Sequence, residues 1–304
     1  MRTTIINLAA LAAGVCAAAA AGLSPELAHL ETLVSDQQAL VEAVRAFDRL
    51  QCDLAVWDME LAEELAKAGD HELAIEKLDE AKHRLALVDE AYKFILDRYP
   101  DNTRAMTYYG ELIYDYQGDH VKAIMLWRKA AALDPKLSEV LNNLALHYSH
   151  TGEVLRGLDY FDRALDLEPD NPDYLFNLCQ IYLTRFPQVA ERNKWSLQRV
   201  YREAMKMSKK AAELTNEYEL IQDYAVNYFA AENFGVKANW RSAARAWQWA
   251  RTEARTADEE FYTWLNEARV WIAHGNSTNA RECLEAALRI RDDSDVAARL
   301  LSEL

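Results

Sequence analysis

The chain has 304 residues, 51% of them hydrophobic, so it can bury one large core or an extended row of smaller ones. Only 9 Gly and 6 Pro suit a mostly helical chain, because both residues interrupt helices. A formal charge of -15 argues against whole-chain affinity for nucleic acid or anionic lipid.

Arg2 precedes an apolar, Ala-rich run over residues 5–21, which ends in Ala19-Ala20-Ala21 before Gly22. A positive start, an apolar middle and small residues at the end read as a secretory signal peptide, residues 1–21. The expectation is export to the periplasm or cell envelope, with no membrane span after cleavage. A retained leader serving as a membrane anchor is the alternative, although the run is short and Ala-rich for a span. Lipidation at Cys16 is disfavoured by Val15, which is larger than such processing sites prefer. Beyond the leader, Cys52, Cys179 and Cys283 are an odd set without paired spacing. They read as buried small hydrophobes rather than a disulfide framework or a metal site.

Pro25 is well placed to start a helix, and residues 26–68 hold neither Gly nor Pro. Leu40, Val44, Phe47, Leu50, Leu54, Trp57, Leu61 and Leu65 recur every three or four residues. The spacing predicts a long amphipathic helical segment over 22–68, or two helices jointed near Gln51–Asp53. Its stripe either packs within the chain or pairs with a second copy as a short coiled coil.

From residue 55 onward, helix pairs repeat. In residues 138–169, Leu141, Leu144, Ala145 and Tyr148 share one helical face, Gly152 breaks the helix, and Leu158, Phe161, Ala164 and Leu165 form a second face before Pro169. An offset of 34 matches Tyr114 to Tyr148, Gly118 to Gly152, Ala123 to Gly157, Trp127 to Phe161, Ala130 to Ala164 and Pro135 to Pro169. Leu175, Leu178, Cys179 and Tyr182 repeat the first face downstream. On these residues the chain resembles the tetratricopeptide-repeat (TPR) family, in an exported bacterial form. The resemblance implies an all-α, right-handed α-solenoid of about six helical hairpins over 55–304. Insertions fall near 183–196 and 231–239, and Val296, Leu300 and Leu301 mark a C-terminal capping helix.

No Gly-rich phosphate loop, HExxH, GxSxG or CxxC pair is present, so no catalytic role, cofactor or metal is expected. His147 and His150 stand three apart without a third ligand at metal spacing. The family resemblance implies a non-catalytic adaptor or scaffold that takes a peptide or helix of a protein partner in the groove lined by the first helix of each pair. There Asn143, Asn177, Asp223 and Asn266 recur, with Tyr109 interrupting the series. One position earlier stand Tyr108, Asn142, Phe176, Gln222 and Leu265. Side-chain amides can pair with a peptide main chain, or instead fix the neighbouring repeat. Arg192, Trp195 and Arg199 in the first insertion and Phe234 in the second are candidates for another surface. That basic segment suits an acidic partner or is neutralised within the chain; nucleic acid is not expected. Self-assembly through residues 26–68 and a regulatory subunit of an envelope enzyme are the remaining alternatives.

Overall fold

The structure, a computed structural model, describes residues 23–304, so the predicted leader and Cys16 lie outside the described residues. A 3-10 helix, Pro25–Leu33, precedes α1 (Gln37–Ala68) and α2 (His71–Arg98). Helix α3 (Thr103–Leu112) continues as a π-helical turn, Ile113–Gln117, before α4 (His120–Leu133), α5 (Ser138–His150) and α6 (Val154–Leu167). Then come α7 (Pro172–Thr184), α8 (Phe186–Asn193), α9 (Leu197–Thr215) and α10 (Tyr218–Val226). A second 3-10 helix, Asn227–Phe234, leads to α11 (Trp240–Glu253), α12 (Ala257–Ala273), α13 (Ser277–Ile290) and α14 (Asp295–Ser302). Among the described residues there is no strand, and the helices form six hairpins: α1/α2, α3/α4, α5/α6, α7/α9, α10/α11 and α12/α13.

The turns follow from local chemistry. Gly118 and Gly152 end their helices at φ 69° and 95°, a left-handed conformation that costs other residues a Cβ clash. Behind Gly118 the Asp119 carboxylate accepts the Lys122 N–H at 3.0 Å and starts α4. Where paired helices meet, a small residue is required. A Cβ added at Gly157 would lie 2.1 Å from Ser149 Oγ and 2.7 Å from the Ala145 carbonyl. One added at Gly110 would lie 2.3 Å from Trp127 Nε1, which donates to the Thr107 carbonyl at 3.0 Å.

The chain divides into two compact units, one up to Leu144 and one from Ala145. Among the described residues, the first holds an apolar cluster running from Leu27 and Leu30 through Val44, Ala55, Val88, Tyr92 and Ile95 to Ile113. Here the reading of residues 26–68 needs correction. They are not one helix, and there is no joint near Gln51–Asp53. The break comes at residues 34–36, because the Asp36 side chain accepts the Ala39 N–H at 3.0 Å and begins α1 afresh. Helix α1 buries Val41, Val44, Cys52, Ala55, Met59 and Ala62, whereas Leu50 and Trp57 of the predicted stripe are each 56% exposed.

The second unit holds three smaller clusters, centred on Phe161 with Phe234, on Trp247, and on Leu284. Burying an aromatic such as Phe161 or Trp247 contributes about 1.5–3 kcal/mol. Ala297, Leu300 and Leu301 of α14 lie on the last cluster. Most of the stretch 183–196 is helical, as α8, with Val189 buried.

Candidate functional site

In the first unit, the groove candidates are positioned by α1, α3 and the start of α5. The Arg45 guanidinium lies 4.1 Å from the Tyr108 ring centre. It donates to Asp48 Oδ2 at 2.7 Å and to Glu111 Oε2 at 2.8 Å. Asn143 Nδ2 donates to the other Glu111 oxygen at 2.8 Å, and the Tyr108 hydroxyl reaches Glu139 at 3.4 Å. Behind this row the buried Asp48 also accepts from the Tyr92 hydroxyl at 2.6 Å and the Cys52 thiol at 3.2 Å. Burial pushes the Glu111 carboxyl above the usual carboxylate range, while Arg45 and Asn143 pull it back. Helices α1, α3 and α5 are therefore joined by charged, directional bonds on the face where the groove was expected.

Asn143 commits one N–H to Glu111, which leaves its second N–H and its oxygen for other partners. Tyr109 is not a groove residue. Its ring stacks on Tyr92 at 5.8 Å, and its hydroxyl donates to Asp89 at 2.8 Å and accepts from Lys122 at 3.0 Å. Asn142, on α5, is buried.

In the second unit the corresponding residues hold their own helices. Asp223 accepts from Gln180 and Asn227, both at 2.8 Å, and from Ser208 at 3.3 Å, which ties α10 to α7 and α9. All of its partners are neutral, so burial raises its carboxyl. Asn266 is buried and donates back to the Tyr262 carbonyl at 2.8 Å, with Arg269 donating to its oxygen at 3.0 Å. Asn177 is buried as well, while Phe176 and Gln222 are half-buried.

The insertion candidates separate in the same way. Arg192 on α8 bonds to Asp159 at 2.7 Å and Asp162 at 2.6 Å, and Arg199 lies over the Trp195 ring at 4.3 Å. Lys206 and Lys209 pair with Glu203 and Glu213, so much of the basic segment is neutralised within the chain. Phe234 is not on the surface: it is 1% exposed, packed on Phe186 at 4.8 Å and Tyr201 at 5.4 Å. The enlarged turn is apolar enough to fold back and bury that ring, so Trp195 and Phe234 form no joint exposed patch.

The residues that sequence reasoning missed are Arg45, Asp48 and Glu111. A signal was present: Asp48 and Asp58 fall at helical spacing among Val41, Val44, Cys52, Ala55 and Met59, so two acids sit on an apolar face and need partners. Asp58 finds its partner in Arg84 at 2.8 Å. The three described thiols, Cys52, Cys179 and Cys283, are buried and free, and burial pushes Cys283 up to about 12, far from a reactive thiolate. No group of three His, Cys, Asp or Glu among the described residues could hold a metal ion. No described helix is long and apolar enough to cross a membrane.

No family model matches the chain, and no curated protein does. Solved structures do. YrrB, a TPR protein with an unusual peptide-binding site, is 16% identical with a TM-score of 0.53, over 71% of this chain and 100% of its own. The C-terminal part of a TPR repeat-containing protein from Cytophaga hutchinsonii is 15% identical with a TM-score of 0.52, over 90% and 98%. PilW, a type IV pilus biogenesis factor, is 17% identical with a TM-score of 0.50, over 81% and 98%. With the hairpins, the small contact residues and the left-handed Gly turns on one chain, the protein has the fold of these tetratricopeptide-repeat proteins.

Proposed function

We propose that the protein is a non-catalytic adaptor that holds an extended peptide or a helix of a protein partner. The carrying observation is the linked row Arg45, Tyr108, Glu111 and Asn143, presented by α1, α3 and α5, the first helices of three successive hairpins. Side chains fixed by one another lose little freedom on binding, which lowers the entropic cost of holding a flexible ligand. The described peptide-binding site of YrrB, on the same fold, supports the reading by analogy. With the leader removed, the expected compartment is the periplasm or cell envelope.

The test is capture from an envelope extract with the mature chain, beside a Tyr108→Ala, Asn143→Ala double variant. At least one protein bound by the wild type should be lost by the variant. Retention of every bound protein would sink the groove reading.

A second reading rests on Leu50 and Trp57 of α1, which share an exposed stripe with the half-buried Leu54 and Leu61. In that reading a second copy covers the stripe. Light scattering of the wild type and of a Leu50→Ser, Trp57→Ser variant decides it: a monomeric wild type ends the idea.

A further inference from the structure

The cavity between α1 and α3 has a volume of about 230 Å³ and is walled by Arg45, Arg49, Arg104 and Tyr108, with Val41 and Ala46 as its apolar side. Glu42 is the one acid of its lining. Acids outnumber bases 49 to 34 in this chain, and Arg84, Lys93, Lys129, Arg192 and Arg251 each hold a carboxylate. Arg49 and Arg104, both exposed, make no ion pair among the described residues. Arg45 already serves Asp48 and Glu111, yet its Nε–H is buried without a partner. Two guanidiniums without an ion pair on the lining of one small cavity, in an acidic chain, suit an anion.

We propose that this cavity anchors a side-chain carboxylate, Asp or Glu, of an acidic peptide in the groove. The inference rests on the groove reading above and names the chemistry that the groove selects. A guanidinium meets a carboxylate with two parallel N–H donors, and the bonds strengthen where water is thinned by an apolar wall. The volume admits a whole acidic side chain, since one water occupies about 30 Å³. A side chain fits better than a chain terminus, because no Asn or Gln among the described residues stands in the cavity lining to hold the terminal main chain.

The test is fluorescence anisotropy of the full chain with three labelled peptides. They are an acetylated, amidated Glu–Ala repeat, its Gln–Ala counterpart, and the Gln–Ala peptide with a free C-terminal carboxylate. The Glu–Ala peptide should bind, more weakly as salt rises. Arg49→Gln with Arg104→Gln should weaken it about tenfold or more, the scale of a lost charge-assisted hydrogen bond. Arg202→Gln, which removes an exposed cation of the second unit, should leave binding unchanged. Equal affinity of the Arg49/Arg104 variant overturns the anchor. So does Gln–Ala binding as tight as Glu–Ala and insensitive to the variant, which leaves the groove reading standing. Preference for the free terminus assigns the cavity to a chain end instead and also overturns the proposal. Failure of all three peptides to bind overturns the anchor and counts against the groove as well.

Discussion

The two units meet the same problem, polar side chains on the faces of packed helices, with different chemistry. In the first, the buried acids Asp48, Asp58 and Asp89 are bound by Arg45, Arg84 and Lys93, and the Arg45 bonds continue to Glu111 on another helix. In the second, Asp223 is held only by Gln180, Ser208 and Asn227, and its apolar material is divided among three clusters rich in Trp, Tyr and Phe. Glu267 with Arg251, 2.5 Å apart, is a buried ion pair of the second unit, and it joins α11 to α12, the facing helices of two neighbouring hairpins. The difference teaches that one helical repeat can be fastened either by charge or by neutral polar contacts and rings. In the first unit, two cations without an ion pair stand beside a cavity.

Removing a charge in the first unit should have the largest effect. Asp48→Ala leaves Arg45 and the Tyr92 hydroxyl without their buried acceptor, and should cost about 3–5 kcal/mol in urea unfolding. A loss under about 1 kcal/mol would show that the charges are incidental to the first unit.

Overpacking is the next test, and it applies to the repeat itself. Gly157→Ala drives a methyl toward the Ala145 carbonyl and the Ser149 side chain, and should cost about 1–3 kcal/mol, read as a lowered Tm. An unchanged Tm would mean that α5 and α6 do not meet there.

A smaller effect, of opposite sign, is expected in the second unit. Burial raises the Asp223 carboxyl above its unfolded value of about 3.9, so the folded state favours the protonated form. Stability from this group is greatest below the unfolded value and falls as pH rises through the folded one. Asp223→Asn removes that loss, so the variant should gain on the wild type between pH 4 and pH 7. A variant that loses ground over that interval would show that the three neutral donors suffice for the anion.

The smallest effect belongs to the basic insertion. Arg192→Ala breaks bonds to Asp159 and Asp162, both largely exposed, and should cost no more than about 1 kcal/mol, vanishing at high salt. A larger, salt-independent loss would make α8 a structural clamp.

The repeat was legible because its rules act over short distances. Gly118 and Gly152 break helices wherever they stand, and Gly157 is small because two helices touch there. The site was less legible. Asn143, Asp223 and Asn266 look alike in register, yet one reaches a neighbouring hairpin's carboxylate, one gathers donors from three other elements, and one turns back on its own helix. Arg45 and Glu111 are 66 positions apart, beyond any spacing rule.

The all-helical hairpins, their turns and their small contact residues could be read from the order of amino acids alone, since each depends on residues within one repeat. Which polar groups are used up and which stay available depended on tertiary packing. A hydrogen bond or ion pair goes to whatever partner is brought within about 3 Å, and only the folded chain sets those distances. Phe234 makes the same point for apolar groups: its loop reads as surface, and its ring is interior because Phe186 and Tyr201 converge on it.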